Sequence, residues 1–388
     1  MRVRPLRIGI VAAEPSGDLL AAGLMDALRE LLPGVQFEGV AGPLMTASGI
    51  DEWASMDDLS VMGLFEVLQH LPRLLRLRAG LLQRWRDTPP AAFIGVDAPD
   101  FNLGVECRMR AAGVPTVHYV SPTVWAWRTR RVRKIRRAVD LLLTIFPFET
   151  RFLDRYQVPS HYVGHPLACD MPLQPDRTAA RQALGLDPDA PVLAMLPGSR
   201  RGEVGRLARP FIETVAALRE QVPDLQVVVP LVNETTRVIF EQVLRDIARE
   251  LPVRVVLNAS RAALAAADVV LTASGTATLE GLLSKRPMVV GYKVQAATYA
   301  VARLFGLVKV KHVAMANLLA DERLAPEFIQ GECEVRHLLP PLLAFFRDPA
   351  RREHIAARYR AIHEQLRMDT NREAARAVVE LLRGRGLV

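Results

Sequence analysis

The 388-residue chain is poor in cysteine: it has three, Cys107, Cys169 and Cys333, far apart and in no C-x-x-C pair. A disulfide framework or a cysteine zinc site is therefore not expected, and a reducing compartment suits the chain. Long apolar runs are also missing. No stretch reaches the ~18 uninterrupted apolar residues of a membrane span. The apolar run near the N-terminus meets Glu14 and Asp18 too early for an export signal. Neither G-x-G-x-x-G nor G-x-x-x-x-G-K-[ST] occurs, which weakens a dinucleotide reading and disfavours ATP hydrolysis.

What is present is an ordinary globular composition, 50% hydrophobic and 24% charged. At roughly 100–200 residues per domain, the length suggests two domains. The net charge of +8 is local. Residues 128–137, RTRRVRKIRR, carry seven bases and no acid, so most of the excess sits in one patch. Such a patch predicts an anionic partner at one place on the surface. It lacks interleaved aromatic residues on which bases could stack, which argues against nucleic acid.

Short apolar runs at 7–13, 36–40, 92–96, 116–120 and 141–145 alternate with helical patterns such as 16–32 and 103–112. A Pro-rich stretch, 166–191, interrupts the alternation, which restarts at 192–196, 225–230, 253–257, 269–272 and 288–292. This order predicts two parallel α/β domains, 1–165 and 166–348, with helices 349–388 packing back on the first. Residues 59–86 mix Leu and Arg at helical spacing around Pro72. They form either a helix pair over the sheet or an exposed apolar edge of Val61, Met62, Leu64, Phe65 and Leu68. An apolar edge beside bases suits an anionic membrane surface.

Ligands in such sheets sit beyond the carboxyl ends of strands, so the residues after each predicted strand matter most. After the first comes AEPSGD, with Glu14, Ser16 and Gly17 at a helix start that either binds an anion or is an ordinary cap. After the third comes GVDAPDFN. Asp97 and Asp100 there suit a general base, or else a helix cap and an arginine partner. After the fourth comes HYVSPTVWAWR, where Ser121 and Pro122 are expected to start a helix and Trp125 and Trp127 offer flat faces to a sugar or acyl group, or fill core and interface. The second half opens with LPGSRRGE, whose Ser199 and Arg200 suit a phosphate. Further on, Ser274 and Thr276 flank Gly275 as a strand gives way to a helix, and Glu280 follows one turn later, placed to reach a ribose. Together these two loops point to a nucleoside diphosphate.

In this order IVAAEPSGD, VAGPLM, LSVMGLFEVL, GVDAPDFN, HYVSPTVWAWR, LPGSRRGEV and SGTATLE resemble the lipid A disaccharide synthases over essentially the whole chain. HYVSPTVWAWR is specific to that family, whereas SGTATLE is shared by many nucleotide-sugar enzymes. The resemblance implies an α/β GT-B fold, two Rossmann-like domains facing an inter-domain cleft. It implies an inverting transfer of 2,3-diacylglucosamine from its UDP derivative to 2,3-diacylglucosamine 1-phosphate, giving a β-1,6-linked disaccharide 1-phosphate and UDP. Asp97 matches the family's essential carboxylate, with Asp100 as a second candidate. Arg200, Ser274, Gly275, Thr276 and Glu280 match its UDP-side motifs, and Asn317 in MANLLA matches an asparagine before a leucine pair. No cofactor and no metal are implied. The implied partners are a UDP-sugar donor, an acylated sugar-phosphate acceptor and the anionic cytoplasmic face of the inner membrane, to which the protein would bind peripherally. A UDP-sugar 2-epimerase of the same fold is the alternative, and the choice between monomer and homodimer stays open.

Overall fold

The computed structural model describes residues 5–59, 64–125, 129–295 and 312–388, with side chains from residue 71 onward in the segment 64–87. The chain divides into two compact units, Met1–Pro166 with Arg367–Val388, and Leu167–Leu366.

The first unit is built on a seven-stranded parallel sheet: β1 (Arg7–Ala12), β2 (Gln36–Ala41), β3 (Asp51–Ser55), β4 (Ala92–Val96), β5 (Thr116–Tyr119), β6 (Leu141–Thr144) and β7 (Ser160–Tyr162). Its order is β3-β2-β1-β4-β5-β6-β7. Helices cover both faces of such a sheet, so its central strands read as continuous apolar runs. Ile8, Ile10, Val11 and Ala12 of β1 are wholly buried, as are Phe93, Ile94 and Val96 of β4. Glu38 on β2 is a buried charge, and it is satisfied at both oxygens. Arg7 Nη1 lies 2.9 Å from Oε2, and the Trp85 indole donates to Oε1 at 3.1 Å. Trp85 belongs to the helix Leu64–Asp87, so this contact also anchors that helix to the sheet.

The second unit has a six-stranded parallel sheet: β8 (Val192–Leu196), β9 (Gln226–Leu231), β10 (Arg254–Leu257), β11 (Val269–Ala273), β12 (Met288–Tyr292) and β13 (Glu327–Ile329). Its order is β10-β9-β8-β11-β12-β13. Both sheets therefore reverse their direction of winding once, between β1 and β4 and between β8 and β11. Those reversals are where an open α/β sheet leaves a crevice for a ligand.

The C-terminal helices divide differently from the sequence expectation. Thr370–Gly384 belongs to the first unit, where Ala374, Ala375, Val378 and Leu382 enter the core beside the helix Pro15–Leu31. Pro349–Leu366 stays with the second unit. Its buried His363 contacts Ala168 O at 2.8 Å through Nε2 and Lys285 Nζ at 2.7 Å through Nδ1, and these polar ties fix it there. Strands β3 (DEWAS), β7 (SHY) and β13 (EFI) are not predicted because none of them carries a continuous apolar run.

Gly39 sits at a register shift in β2, with φ of +146°. A Cβ there would lie 2.1 Å from the Ile10 carbonyl oxygen. Gly39→Ala should therefore cost roughly 2–4 kcal/mol, strain and overpacking combined. Urea unfolding measures this, and an unchanged midpoint would show that β2 can shift away freely.

Candidate active site

In the first unit, the loops after β1 and β4 flank the winding reversal. Glu14 precedes the helix Pro15–Leu31, and Glu14 and Ser16 are exposed. Gly17 is buried at the helix start, and an added Cβ would stand 3.6 Å from Val96 O, an ordinary contact, so packing against β4 does not itself require glycine there. Asp18 is buried, and its two oxygens accept from Leu44 N and Met45 N at 2.9 and 3.0 Å, so it is a structural cap for the next turn.

After β4 the backbone turns left-handed at two successive residues, Asp97 (φ +51°) and Ala98 (φ +41°), before Pro99 starts the helix Pro99–Ala111. Left-handed conformation disfavours residues with a Cβ, by about 1–2 kcal/mol each. Asn102 holds the turn. It is wholly buried, and its Nδ2 donates to Asp97 O at 2.8 Å, with Val96 O and Val11 O at 3.3 and 3.4 Å. Asp97 N donates to Tyr119 O at 2.8 Å, tying the turn to β5. Neither Asp97 oxygen has a hydrogen-bond partner among the described residues, and the side chain lines a cavity of about 440 Å³. Leu59, Leu71, Leu74, Leu75 and Phe101 form much of the wall, with Glu14 and Arg78 beside them. Asp100 lines the same cavity but pairs with Arg131 and is 85% exposed at its side chain. The two carboxylates thus have different surroundings: Asp97 is held by the fold and open, Asp100 is exposed and paired.

The β5 and β6 ends bring together a cluster that sequence reasoning saw only in part. Trp125 is half-buried and packs edge-on against Phe148, ring centres 4.9 Å apart. Its indole nitrogen donates to Glu149 Oε1 at 3.2 Å. Ser121 is buried and Val120 before it is left-handed, at φ +77°. Residues 123–125 form a bend and a turn, so the helix expected to start at Ser121 is corrected to an irregular loop over 121–125. Glu149 is the third residue of the helix Pro147–Asp154 and also accepts from Phe146 N at 3.2 Å. A Glu three residues after a helix boundary is a capping signal, the one clue to it in the sequence. Trp127, Val61 and Met62 lie outside the described residues, as do the side chains of Leu64, Phe65 and Leu68.

In the second unit, Leu196, Gly198, Ser199 and Arg200 after β8 meet Ser274, Gly275, Thr276 and Glu280 after β11 around a cavity of about 500 Å³. Gly275 has φ of +109°, which lets the strand break sharply into the helix Thr276–Leu283. The amides of Thr276 and Ala277, in the first turn, have no acceptor among the described residues, so an anion can take them. Ser274 Oγ donates to Val313 O at 3.1 Å. On the β8 side, Glu203 Oε2 accepts from Ser199 N and Arg200 N at 3.2 and 3.4 Å, while the Arg200 side chain stays exposed at the rim. Burial pushes the Glu280 carboxyl up and Arg261 opposes this. The Glu280 carboxylate accepts no hydrogen bond from the described residues, which leaves it open to hydroxyl groups. Pro230, Val232, Ser260 and Tyr292, from three other strand ends, complete the wall. They carried no recognisable motif.

Asn317 does not join this cavity. It is wholly buried, its Nδ2 donates to Ala325 O and Glu327 Oε1 at 2.7 and 2.9 Å, and its Oδ1 accepts from Ala325 N at 2.8 Å. Its amide is spent on ordering the 313–327 segment, which includes the Val313 carbonyl that Ser274 uses. In the structure the Asn317 side chain is thus committed to Ala325 and Glu327 and does not line the cavity where the UDP-side residues meet.

Asn102→Ala should cost about 1–3 kcal/mol, because it strips partners from buried carbonyls. Ala98→Gly should be neutral or slightly stabilising. Urea unfolding of both variants tests this, and an Asn102→Ala protein as stable as wild type would remove Asn102 as the clamp. Burial pushes the Glu149 carboxyl up to about 8 from its ordinary 4.5. The folded chain then keeps a proton that the unfolded chain releases, so this group's contribution to stability falls as pH climbs from about 4.5 to 8. Glu149→Gln, which cannot ionise, should flatten that part of the profile. Melting temperatures from pH 5 to 9 that run parallel in the two proteins would show Glu149 ionised throughout.

Comparison with known proteins places this geometry. The family model described as Lipid-A-disaccharide synthetase matches residues 8–381. The Lipid-A-disaccharide synthase of Pseudoalteromonas translucida is 48% identical over 379 residues, covering 98% of this chain and 98% of its own length. That of Yersinia pestis is 47% identical over 378 residues, covering 97% and 95%. Among solved structures, a glycosyltransferase from Rickettsia africae has a TM-score of 0.61 at 10% identity, covering 98% of this chain and 99% of that one. The UDP-GlcNAc 2-epimerase from Neisseria meningitidis, bound to UDP-GlcNAc, has a TM-score of 0.59 at 13% identity, covering 97% and 98%. At these identities the structural likeness concerns the fold alone, which is GT-B.

Proposed function

Because the chain belongs to the lipid-A-disaccharide synthase family, we propose that the carboxylate held at the β4 turn and the amide cradle after β11 are the two working parts of one inverting sugar transfer. The enzyme transfers 2,3-diacylglucosamine from UDP-2,3-diacylglucosamine to 2,3-diacylglucosamine 1-phosphate, giving the β-1,6-linked disaccharide 1-phosphate and UDP. The epimerase alternative rests on a likeness of fold at 13% identity, against relatives of 46–48% identity that carry the synthase name.

The second unit takes the donor. Thr276 and Ala277 amides at the helix start receive the diphosphate, with Arg200 supplying a full positive charge. Glu280, one turn along, accepts from the ribose hydroxyls. These donors stabilise charge as it builds on the leaving UDP. The first unit takes the acceptor. Asp97 accepts the proton of the attacking 6-hydroxyl as the oxygen approaches the anomeric carbon from the face opposite UDP. The observation that carries this choice over Asp100 is the contrast between the two: the Asp97 backbone is clamped by Asn102 and its oxygens are free, whereas Asp100 is exposed and already paired with Arg131. A base must be held within reach of its proton, and clamping does that.

Both substrates carry acyl chains, and the first unit offers a matching surface. No helix among the described residues is long and apolar enough to cross a membrane. On the helix Val132–Ala138, Val132, Ile135 and Ala138 are buried while Arg133, Lys134, Arg136 and Arg137 all face out, unpaired with any acid among the described residues. We assign this face, with the exposed Leu71 and Leu75, to the anionic cytoplasmic surface of the inner membrane.

Asp97→Asn should lower turnover by about 10²–10⁴-fold, the usual contribution of a general base. UDP affinity, measured by calorimetry on the same preparation, should stay close to wild type. Wild-type turnover would remove Asp97 from the chemistry. Loss of UDP binding together with turnover would mean that the substitution acts by unfolding the site.

A further inference from the structure

One charged side chain in the Asp97 cavity has no function so far. Arg78 lies on the helix Leu64–Asp87 and crosses the facing helix Pro99–Ala111 at Gly104. The fit is close: a Cβ added to Gly104 would stand 2.7 Å from Arg78 Nη1. Arg108, one turn beyond Gly104, brings a second like charge, and burial together with Arg108 pulls the Arg78 guanidinium below its ordinary range. Arg78 is half-buried and makes no hydrogen bond or ion pair with the described residues. The carboxylates that line the same cavity do not neutralise it: Asp100 is taken by Arg131, and Glu14 and Asp97 stand beyond ion-pair distance. A partly desolvated, unpaired cation next to another cation is unfavourable unless an anion completes it.

We propose that Arg78 binds the phosphomonoester of the acceptor and is the residue that makes the enzyme select a sugar 1-phosphate. This rests on the reaction assigned above. The cavity offers what such an acceptor needs on one wall after another: a base for the hydroxyl at Asp97, an apolar surface from Leu71, Leu74, Leu75 and Phe101 for an acyl chain, and a guanidinium for the phosphate. A planar guanidinium can meet two phosphate oxygens with parallel hydrogen bonds, and a dianionic monoester relieves the repulsion between Arg78 and Arg108. Gly104 is then explained as the residue whose missing side chain lets Arg78 lie flat across the helix. A bilayer phosphate is the other source of the same chemistry, and the experiment separates the two.

The test is steady-state kinetics of Arg78→Gln and Arg78→Lys with 2,3-diacylglucosamine 1-phosphate and with the same sugar lacking the phosphate. In Arg78→Gln the KM for the phosphorylated acceptor should rise roughly ten- to hundredfold, the range for loss of a hydrogen bond to a charged group. The KM for the UDP donor and the slow rate with the dephosphorylated acceptor should not move, and Arg78→Lys should recover part of the loss. Equal losses on both acceptors would make Arg78 structural and overturn the proposal, as would no loss on either. Flotation with phosphatidylglycerol vesicles should be the same for wild type and Arg78→Gln. Reduced flotation with unchanged acceptor discrimination would assign the side chain to bilayer phosphate instead. If the wild-type enzyme itself does not glycosylate the phosphorylated acceptor, the assigned reaction fails, whatever Arg78 does.

Discussion

A parallel sheet covered by helices on both faces has no room for chemistry along its strands. Polar groups can emerge only where strands end, and a crevice opens only where the winding reverses. Each unit obeys this constraint once. In the first, the reversal between β1 and β4 presents Glu14, Gly17 and Asp97; in the second, the reversal between β8 and β11 presents Arg200, Gly275 and Glu280. The proposed division of labour between base and leaving-group cradle follows from having two such sheets in one chain. The left-handed turn at Asp97–Ala98 is a strained local feature of this plan, and the buried amide of Asn102 holds it in place.

The same constraint decides what could be read from the sequence. Strands buried on both faces are apolar runs, so β1, β4, β8 and β11 were legible, and so were the motifs that follow them. Strands without such a run were missed: Asp51–Ser55 (DEWAS) and Glu327–Ile329 (EFI) are charged and contain no fully buried residue, whereas the edge strand Arg254–Leu257 (RVVL) kept its apolar run and was legible. Roles set by long-range partners were also invisible. Nothing local distinguishes Asn317, which spends its amide on Ala325 and Glu327, from an asparagine that touches a ligand. Asp97 and Asp100 looked alike in GVDAPDFN until Arg131, thirty-one residues away from Asp100, took one of them. Trp125 is legible as an aromatic in a motif, but its fixed orientation comes from Glu149, twenty-four residues on.

The helix Leu64–Asp87 links the chemistry to the surface. Its C-terminal half is anchored in the core by Leu81 and Trp85, while Leu71 and Leu75 are each 43% exposed beside the Asp97 cavity. A helix that is core at Leu81 and Trp85 and apolar at the surface at Leu71 and Leu75 suits an enzyme whose substrates are themselves half lipid. In the proposed membrane contact, the cationic face of Val132–Ala138 supplies the part that salt weakens and the apolar side chains the part that persists.

The central claim is that donor and acceptor are held by different units, UDP by the turns after β8 and β11 and the acceptor at the turn after β4. Hydrogen exchange of backbone amides with and without UDP tests this most directly. UDP should give its largest protection at Thr276 and Ala277 and leave Phe101 and Asn102 near their unliganded rates. Strong protection at Phe101 and Asn102, with Thr276 and Ala277 unaffected, would contradict the account.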